Sequence, residues 1–179
     1  MGCTFNAMNI ISEKEDGVAF INEILPMTPS QYILQKVVVG FLFGSISSMI
    51  TACICFRLSW QNFGLMLALI VLSSFVAALI GLFIGRLSGG LMVGVVYVKI
   101  VMLLFLAVPV VCALIEVSGP LVVICNIVPS HPAFDGIMAL SAGNVGTATK
   151  DVGILAIHCV AWFALYVLIS TQHKKRATQ

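Results

Sequence analysis

The residues best suited to chemistry in this chain are few, and their spacing matches no familiar reactive arrangement. His131 and Asp135 stand four residues apart and can share one face of a helix, but a metal ion needs further ligands, and the nearby sequence offers none. Cys53 and Cys55 are separated by one residue, which is the wrong spacing for a CxxC redox or zinc pair. We therefore predict no catalytic residue and no metal site, and a solvated or capping role for His131.

A glycine-containing segment, residues 143–150, faintly resembles a phosphate-binding loop. It lacks the Gly-Lys-Ser/Thr ending of that motif and leads into an apolar segment instead of linking a strand to a helix. The sequence also contains no HExxH and no GxSxG motif. These absences predict a protein that is not an enzyme and uses no cofactor. The formal net charge of +2 is too small to predict a nucleic-acid partner.

Four long apolar segments dominate the chain, at about residues 33–56, 63–84, 91–115 and 152–169. Charged residues make up only 9% of the sequence, against about 25% in soluble proteins. About 20 apolar residues in a helix cross the hydrocarbon core, and lipid offers a backbone amide no partner outside the helix. We predict an all-α, polytopic membrane helix bundle with four transmembrane helices, forming a single domain over residues 1–179 in the lipid bilayer.

The basic residues are distributed unequally between the two sides of this four-span path. Only Arg57 and Lys150 fall on one side, and seven of the nine lie on or near the other. Cytoplasmic loops carry an excess of Lys and Arg, so both termini are predicted to lie in the cytoplasm, with the chain in the cell membrane. The seven residues on that side are Lys14, Lys36, Arg86, Lys99, Lys174, Lys175 and Arg176.

Residues 13–32 form the only substantial polar segment before the C-terminal tail, and segment 13–29 lies within it. Its acidic start is followed by Val18, Ile21 and Leu25 at helical spacing, and Pro26 then interrupts the pattern. The sequence therefore predicts a short cytoplasmic amphipathic helix whose acidic residues lie at its N-terminal, positive end.

Glycines at GxxxG spacing occur three times in or beside the predicted spans. This spacing permits close contact between helices. We interpret the pairs as packing within one subunit, with a dimer interface as the alternative. The pairs are Gly40/Gly44, Gly81/Gly85 and Gly90/Gly94.

Segment 117–149 is long for a link between two spans and is broken by prolines. Residues 121–128 are apolar, but they are too few to cross about 30 Å of hydrocarbon. After Pro132, an apolar side that includes Phe134 and Ile137 predicts an interfacial helix. We expect two short external helices that do not span the membrane.

His158 and Lys99 are ionisable groups inside predicted spans, where such groups are candidates for a transport pathway. The alternatives are a neutral His158 bonded to a neighbouring helix and a Lys99 side chain that extends to the interface. No acidic residue lies in the middle of a predicted span, which disfavours an ion-coupled carrier. Cys112 and Cys159 are interpreted as small apolar side chains.

Three features together resemble the permease subunit of type 2 ABC exporters, in the bacterial drug and bacteriocin export branch. They are the sequence Glu13-Lys14-Glu15-Asp16-Gly17 followed by Leu25-Pro26 and Thr28-Pro29-Ser30, the three closely linked spans, and the broken external segment before a last span and a basic tail. The resemblance implies a separate cytoplasmic ATP-binding cassette subunit and a homodimer or second permease. The residues that it assigns to contact with the ATPase are Glu13, Glu15, Asp16, Gly17, Ile21, Leu25 and Pro26.

The resemblance departs from the family in the number of spans. Members usually have six, whereas this chain has four, and residues 1–12 resemble the last part of the family's second span. A shortened sequence, a half-size permease and a degenerate remnant all stay open. The expected function is export of a lipophilic drug, lipid or peptide, and the alternative is a non-transporting membrane protein such as an immunity or assembly factor.

Overall fold

The computed structural model describes residues 2–17, 29–55, 62–115 and 120–176, and these residues form helices and no strands. Four helices are long and apolar enough to cross a membrane, which confirms the predicted all-α bundle. In chain order the helices are α1 (Gly2–Glu15), α2 (Pro29–Cys55), α3 (Phe63–Leu87), α4 (Leu91–Leu114), α5 (Pro120–Cys125), α6 (Ser130–Ser141) and α7 (Val145–Arg176).

Helix α3 lies at the centre of the bundle. It is the most buried of the four candidate spans and contacts α1, α2, α4, α6 and α7. Leu69 and Leu79 are fully buried and belong to two of the three apolar clusters that form the core. The link to α4 spans only residues 88–90, so α3 and α4 are antiparallel neighbours. We refer below to the α3–α4 end of the bundle and to the opposite, α2–α3 end.

Helix α1 is the main difference from the predicted architecture. The acidic residues were expected to begin an amphipathic helix, but Glu13 and Glu15 end a helix that starts at Gly2. Gly17 follows with a φ of 70°, the left-handed conformation in which helices commonly stop. Residues 18–28, where the rest of the amphipathic helix was predicted, lie outside the described part of the chain.

Helices α5 and α6 are short and do not span, as predicted, but they are not confined to the surface. Ser130, which begins α6, lines the same cavity as Ser73 and Ser74 in the middle of α3. Ten residues later, Leu140 belongs to the same apolar cluster as Met66, which lies near the start of α3. The α5–α6 pair is therefore a hairpin that enters the bundle from the α2–α3 end and leads back to that same end.

The last span begins earlier than the predicted residue 152. Helix α7 starts at Val145, and the Asn144 side-chain oxygen accepts a hydrogen bond from the Thr147 amide at 3.2 Å. This is an N-cap interaction, and it allows the helix to begin within the small polar segment. As a result, Asp151 lies inside a candidate span and is only 5% exposed.

Candidate functional site

A groove of glycines on three helices receives α1. A Cβ atom added at Gly85 of α3 would lie 2.8 Å from the Ile10 side chain, and one added at Gly40 of α2 would lie 2.9 Å from Asn6. Gly81 faces the Cys3 backbone in the same way. All three GxxxG pairs approach α1, so the glycines serve packing within one chain. We call this surface the glycine groove; its members are Gly40, Gly44, Gly81, Gly85, Gly90 and Gly94.

Asn6 is the polar centre of the contact between α1 and the groove. Its side chain is 2% exposed, and Nδ2 donates a hydrogen bond of 2.8 Å to the Ala78 carbonyl of α3. A buried amide without a partner costs about 1–3 kcal/mol, so this bond favours one register of α1 against α3.

Lys14 binds the C-terminal end of α3. Its Nζ donates to the carbonyls of Gly85 at 2.7 Å, Arg86 at 3.0 Å and Ser88 at 3.2 Å. The last carbonyls of a helix carry partial negative charge, and an ammonium group is a suitable partner for them. Partial burial, and secondarily the positive charge of Arg86, lower the pKa of Lys14 from its usual value.

Glu15 binds the helix that follows. Its Oε1 accepts a hydrogen bond of 2.6 Å from the Leu91 amide, the first residue of α4. A carboxylate is stabilised at the positive end of a helix dipole. Lys14 therefore stabilises the C-terminal end of α3, and Glu15 stabilises the N-terminal end of α4, on the two sides of the short link between these helices.

Glu13 completes the set by binding α2. It forms an ion pair with Lys36, which also donates to the Asn9 side chain of α1. Both charged side chains are mostly buried, with exposures of 24% and 13% for Glu13 and Lys36. Three consecutive residues of α1 thus bind three different spans at the α3–α4 end. We call Glu13, Lys14 and Glu15 the clamp.

The remaining predicted coupling residues divide into two groups. Asp16 is exposed and accepts a 3.2 Å hydrogen bond from the Ser12 hydroxyl, and Gly17 forms the exposed turn after α1. Ile21, Leu25 and Pro26 lie outside the described residues. The structure therefore brings Glu13, Glu15, Asp16 and Gly17 together at one end of the bundle.

Lys99 and His158 do not join the clamp or each other. Lys99 is exposed on α4. His158 is partly buried on α7, with Nδ1 2.9 Å from the Ile154 carbonyl of its own helix and Nε2 3.1 Å from the Ile127 carbonyl. A neutral ring donates only one of these bonds, whereas an imidazolium donates both. His158 thus connects α7 to the α5–α6 hairpin.

A cavity of about 240 Å³ lies where the hairpin meets α3. Hydroxyl groups of Ser48, Ser74 and Ser130 line it together with apolar groups such as Phe105. The Ser130 hydroxyl has no hydrogen-bond partner among the described residues.

Two further groups, Asp151 and Cys112, have environments that the sequence did not predict. Asp151 is buried beside Gly136 of α6, and its Oδ2 has no partner in the described part of the chain. Cys112 was interpreted as a small apolar side chain, but it is bonded to Cys125 across the α4–α5 connection. The two cysteines stand 13 residues apart with a proline between them, so periodicity gave no signal for the pairing.

Comparison with known proteins identifies one family. The sequence model for ABC-2 family transporter proteins matches residues 1–168, which is nearly the whole chain. No curated protein and no solved structure showed a significant match.

Proposed function

Because this chain belongs to the ABC-2 family of transporter membrane proteins, we propose that it is the membrane subunit of an ATP-driven exporter. As a permease domain, it is a non-catalytic part of the transporter. Members of this family generally pair with ATP-binding cassette subunits. We propose that such a subunit contacts segment 13–29 from the cytoplasm, and that a second permease or a second copy of this chain completes the pathway.

The clamp is the observation that carries the proposal. Glu13, Lys14 and Glu15 bind α2, the end of α3 and the start of α4, and Asp16 and Gly17 follow at the exposed surface of the same end. A displacement of segment 13–29 would therefore act on three spans at once. Transport subunits that alternate between two packings need such a connection between the partner and the spans.

Two independent features support a cytoplasmic position for the α3–α4 end and for the C-terminal tail. Seven of the nine basic residues belong to that side of the four-span path. The bonded pair Cys112–Cys125 lies at the α2–α3 end, and disulfides persist in oxidising compartments outside the cytoplasm.

The interior cavity supports a cargo with both apolar and polar parts. Serine hydroxyls and apolar side chains line it together, and none of the described residues that line it carries a charged side chain. Such a lining suits a neutral or amphipathic group better than an ion. Lipophilic drugs, lipids and peptides all meet this description.

Docking of the ATPase is tested with Asp16, because its side chain is exposed and its hydrogen bond comes from Ser12 of its own helix. Tagged chain is purified from its own host membranes, and the co-purifying cassette ATPases are quantified by mass spectrometry. Asp16→Lys should lower ATPase recovery by about tenfold through charge reversal at the contact surface.

The matched control is Asp135→Lys, which reverses another exposed aspartate at the α2–α3 end. This variant should recover the ATPase as the wild type does. Equal recovery with Asp16→Lys would contradict docking on segment 13–29. If no cassette ATPase co-purifies with the wild-type chain, the exporter proposal itself is wrong.

A further inference from the structure

The cavity of about 240 Å³ between the hairpin and α3 lies at mid-depth in the bundle. Ser73 and Ser74, which line it, are near the middle of the 25 residues of α3. Val76 and Phe105 add apolar walls from α3 and α4. Hydroxyl groups at this depth are removed from bulk water, and a hydroxyl without a hydrogen-bond partner costs free energy. An occupant with a polar group would therefore stabilise the cavity.

The start of α6 presents hydrogen-bond donors to this cavity. Ser130 Oγ is buried, and it has no hydrogen-bond partner among the described residues. Helix α6 begins at this residue, after Pro129, and no described side chain caps it. The first amides of a helix lack partners within the helix and form its positive end. An oxygen atom in the cavity can therefore accept hydrogen bonds from the Ser130 hydroxyl and from the backbone at the start of α6.

The two serines of α3 offer different hydrogen bonds. Ser73 already donates its proton to the Ile70 carbonyl of its own helix at 3.1 Å, so its oxygen can only accept from an occupant. Ser74 is 4% exposed, and its hydroxyl can donate or accept. The cavity therefore combines donors from the hairpin and α3 with one acceptor on α3.

We propose that the cavity binds the carbonyl group of an uncharged ester or amide, with the adjoining apolar chain against Val76 and Phe105. A carbonyl oxygen has two lone pairs and can accept from two donors, and the N–H of an amide can donate to Ser73. An anion suits the cavity less well, because none of the described lining residues is a cation and an unpaired buried charge is costly. A role for this site in cargo binding rests on the proposed exporter function, whereas binding itself requires no ATPase.

The size of the cavity limits how much of a ligand it encloses. Its volume of about 240 Å³ is smaller than the roughly 300–1,000 Å³ of pockets that enclose a drug-sized ligand. Ser48, one of the lining residues, is exposed on α2 within a candidate span. The site therefore holds the carbonyl group and the atoms beside it, and a longer apolar chain can extend out past Ser48.

The test uses the full-length protein in dodecyl maltoside, a detergent without ester groups, and methyl octanoate as the probe. Hydrogen bonding lowers the carbonyl stretching frequency of an ester, so infrared spectroscopy separates bound probe from probe dissolved in micelles. The wild type should give a shifted band that saturates at one probe per chain. Ser130→Ala should weaken this binding by about fivefold, because it removes one hydrogen bond. Octanoate and decane, which are charged or lack the carbonyl, should compete at least about tenfold more weakly.

Ser141→Ala is the matched control, since it removes an exposed serine hydroxyl at the other end of α6 and should leave binding unchanged. Size-exclusion profiles verify folding, and Ser74→Ala provides a second substitution in the cavity. The proposal is overturned if no saturable shifted band appears, which would mean that the cavity holds only water. It is also overturned if decane or octanoate displaces the ester equally well, or if Ser130→Ala binds as the control does. None of these outcomes alters ATPase co-purification, so this proposal and the exporter proposal fail separately.

Discussion

The two ends of this bundle are fastened by different chemistry. At the α3–α4 end, consecutive charged residues of α1 bind three spans through an ion pair and hydrogen bonds to helix ends. At the α2–α3 end, the α5–α6 hairpin is attached through the Cys112–Cys125 pair, the contact of His158 with Ile127 and apolar packing.

The difference indicates which end resists movement. The clamp combines several charge-assisted bonds, which are among the stronger polar interactions, with a helix seated on glycines. The hairpin instead borders a cavity. Ser130 of the hairpin and Asp151 of α7 each have a side-chain oxygen without a hydrogen-bond partner among the described residues. We expect the clamp end to move as a unit and the hairpin end to rearrange.

The largest expected effect comes from filling the glycine groove. Gly81→Val would place a branched side chain against the Cys3 backbone, which cannot rotate away as a side chain can. We expect a loss of about 3 kcal/mol or more in the free energy of unfolding, measured by thermal unfolding in detergent, because α1 can no longer pack in the glycine groove.

Gly64→Val is the matched control, since it makes the same substitution on the same helix at a glycine with no neighbouring atom within 4 Å. Its effect should stay within about 0.5 kcal/mol. A similar loss in both variants would attribute the effect to helix propensity and remove the glycine groove as the cause.

A smaller effect is expected from the ion pair of the clamp. Lys36→Met leaves the Glu13 carboxylate partly buried without its cation and should cost about 1–2 kcal/mol, since solvent still reaches both side chains. The double variant Glu13→Gln/Lys36→Met should recover part of that loss, because no charge is then left unpaired.

Lys99→Met makes the same substitution at an exposed lysine of α4 and should leave stability nearly unchanged. If the double variant is as unstable as the sum of its two single variants, Glu13 and Lys36 are not coupled, and the ion pair does not hold α2 to α1.

The smallest effect should appear at the hairpin end. His158→Phe removes the 3.1 Å hydrogen bond to the Ile127 carbonyl, which is worth about 1 kcal/mol. Amide exchange of residues 126–131 should become faster, while exchange in α1 stays the same. Ile157→Phe, at the neighbouring exposed position, serves as the control and should change neither region. Unchanged exchange in His158→Phe would show that the hairpin is held by packing alone.

The spans were predictable because each apolar segment carries its own signal. An apolar segment of about 20 residues is long enough to cross the membrane as a helix. Length and composition alone therefore predict α3 and α4. The Asn144 cap was also readable from the sequence, since a capping residue three positions before Thr147 marks a helix start. The small polar residues around it, which are typical of a loop, obscure that signal.

The clamp was not predictable, because its partners are distant in the chain. Lys14 finds its carbonyls at the end of α3, and nothing in the local sequence links the two. Helix α1 was anticipated only through the resemblance of residues 1–12 to the last part of a span, because Asn6 and Asn9 interrupt its apolar residues and its composition alone does not predict a span. Cys112 and Cys125 likewise meet only through the path of α4 and α5.

The glycine groove has a consequence for how the chain is made. Helix α1 leaves the ribosome before any of the helices that receive it, yet its seat is complete only after Gly94 of α4 has been synthesised. Until then, Asn6 and the charged C-terminal end of α1 lack the hydrogen-bond partners that they have in the folded bundle. Helix α1 is therefore made before the helices that receive it but packs only after them, and until then its polar groups need water, which the membrane surface provides.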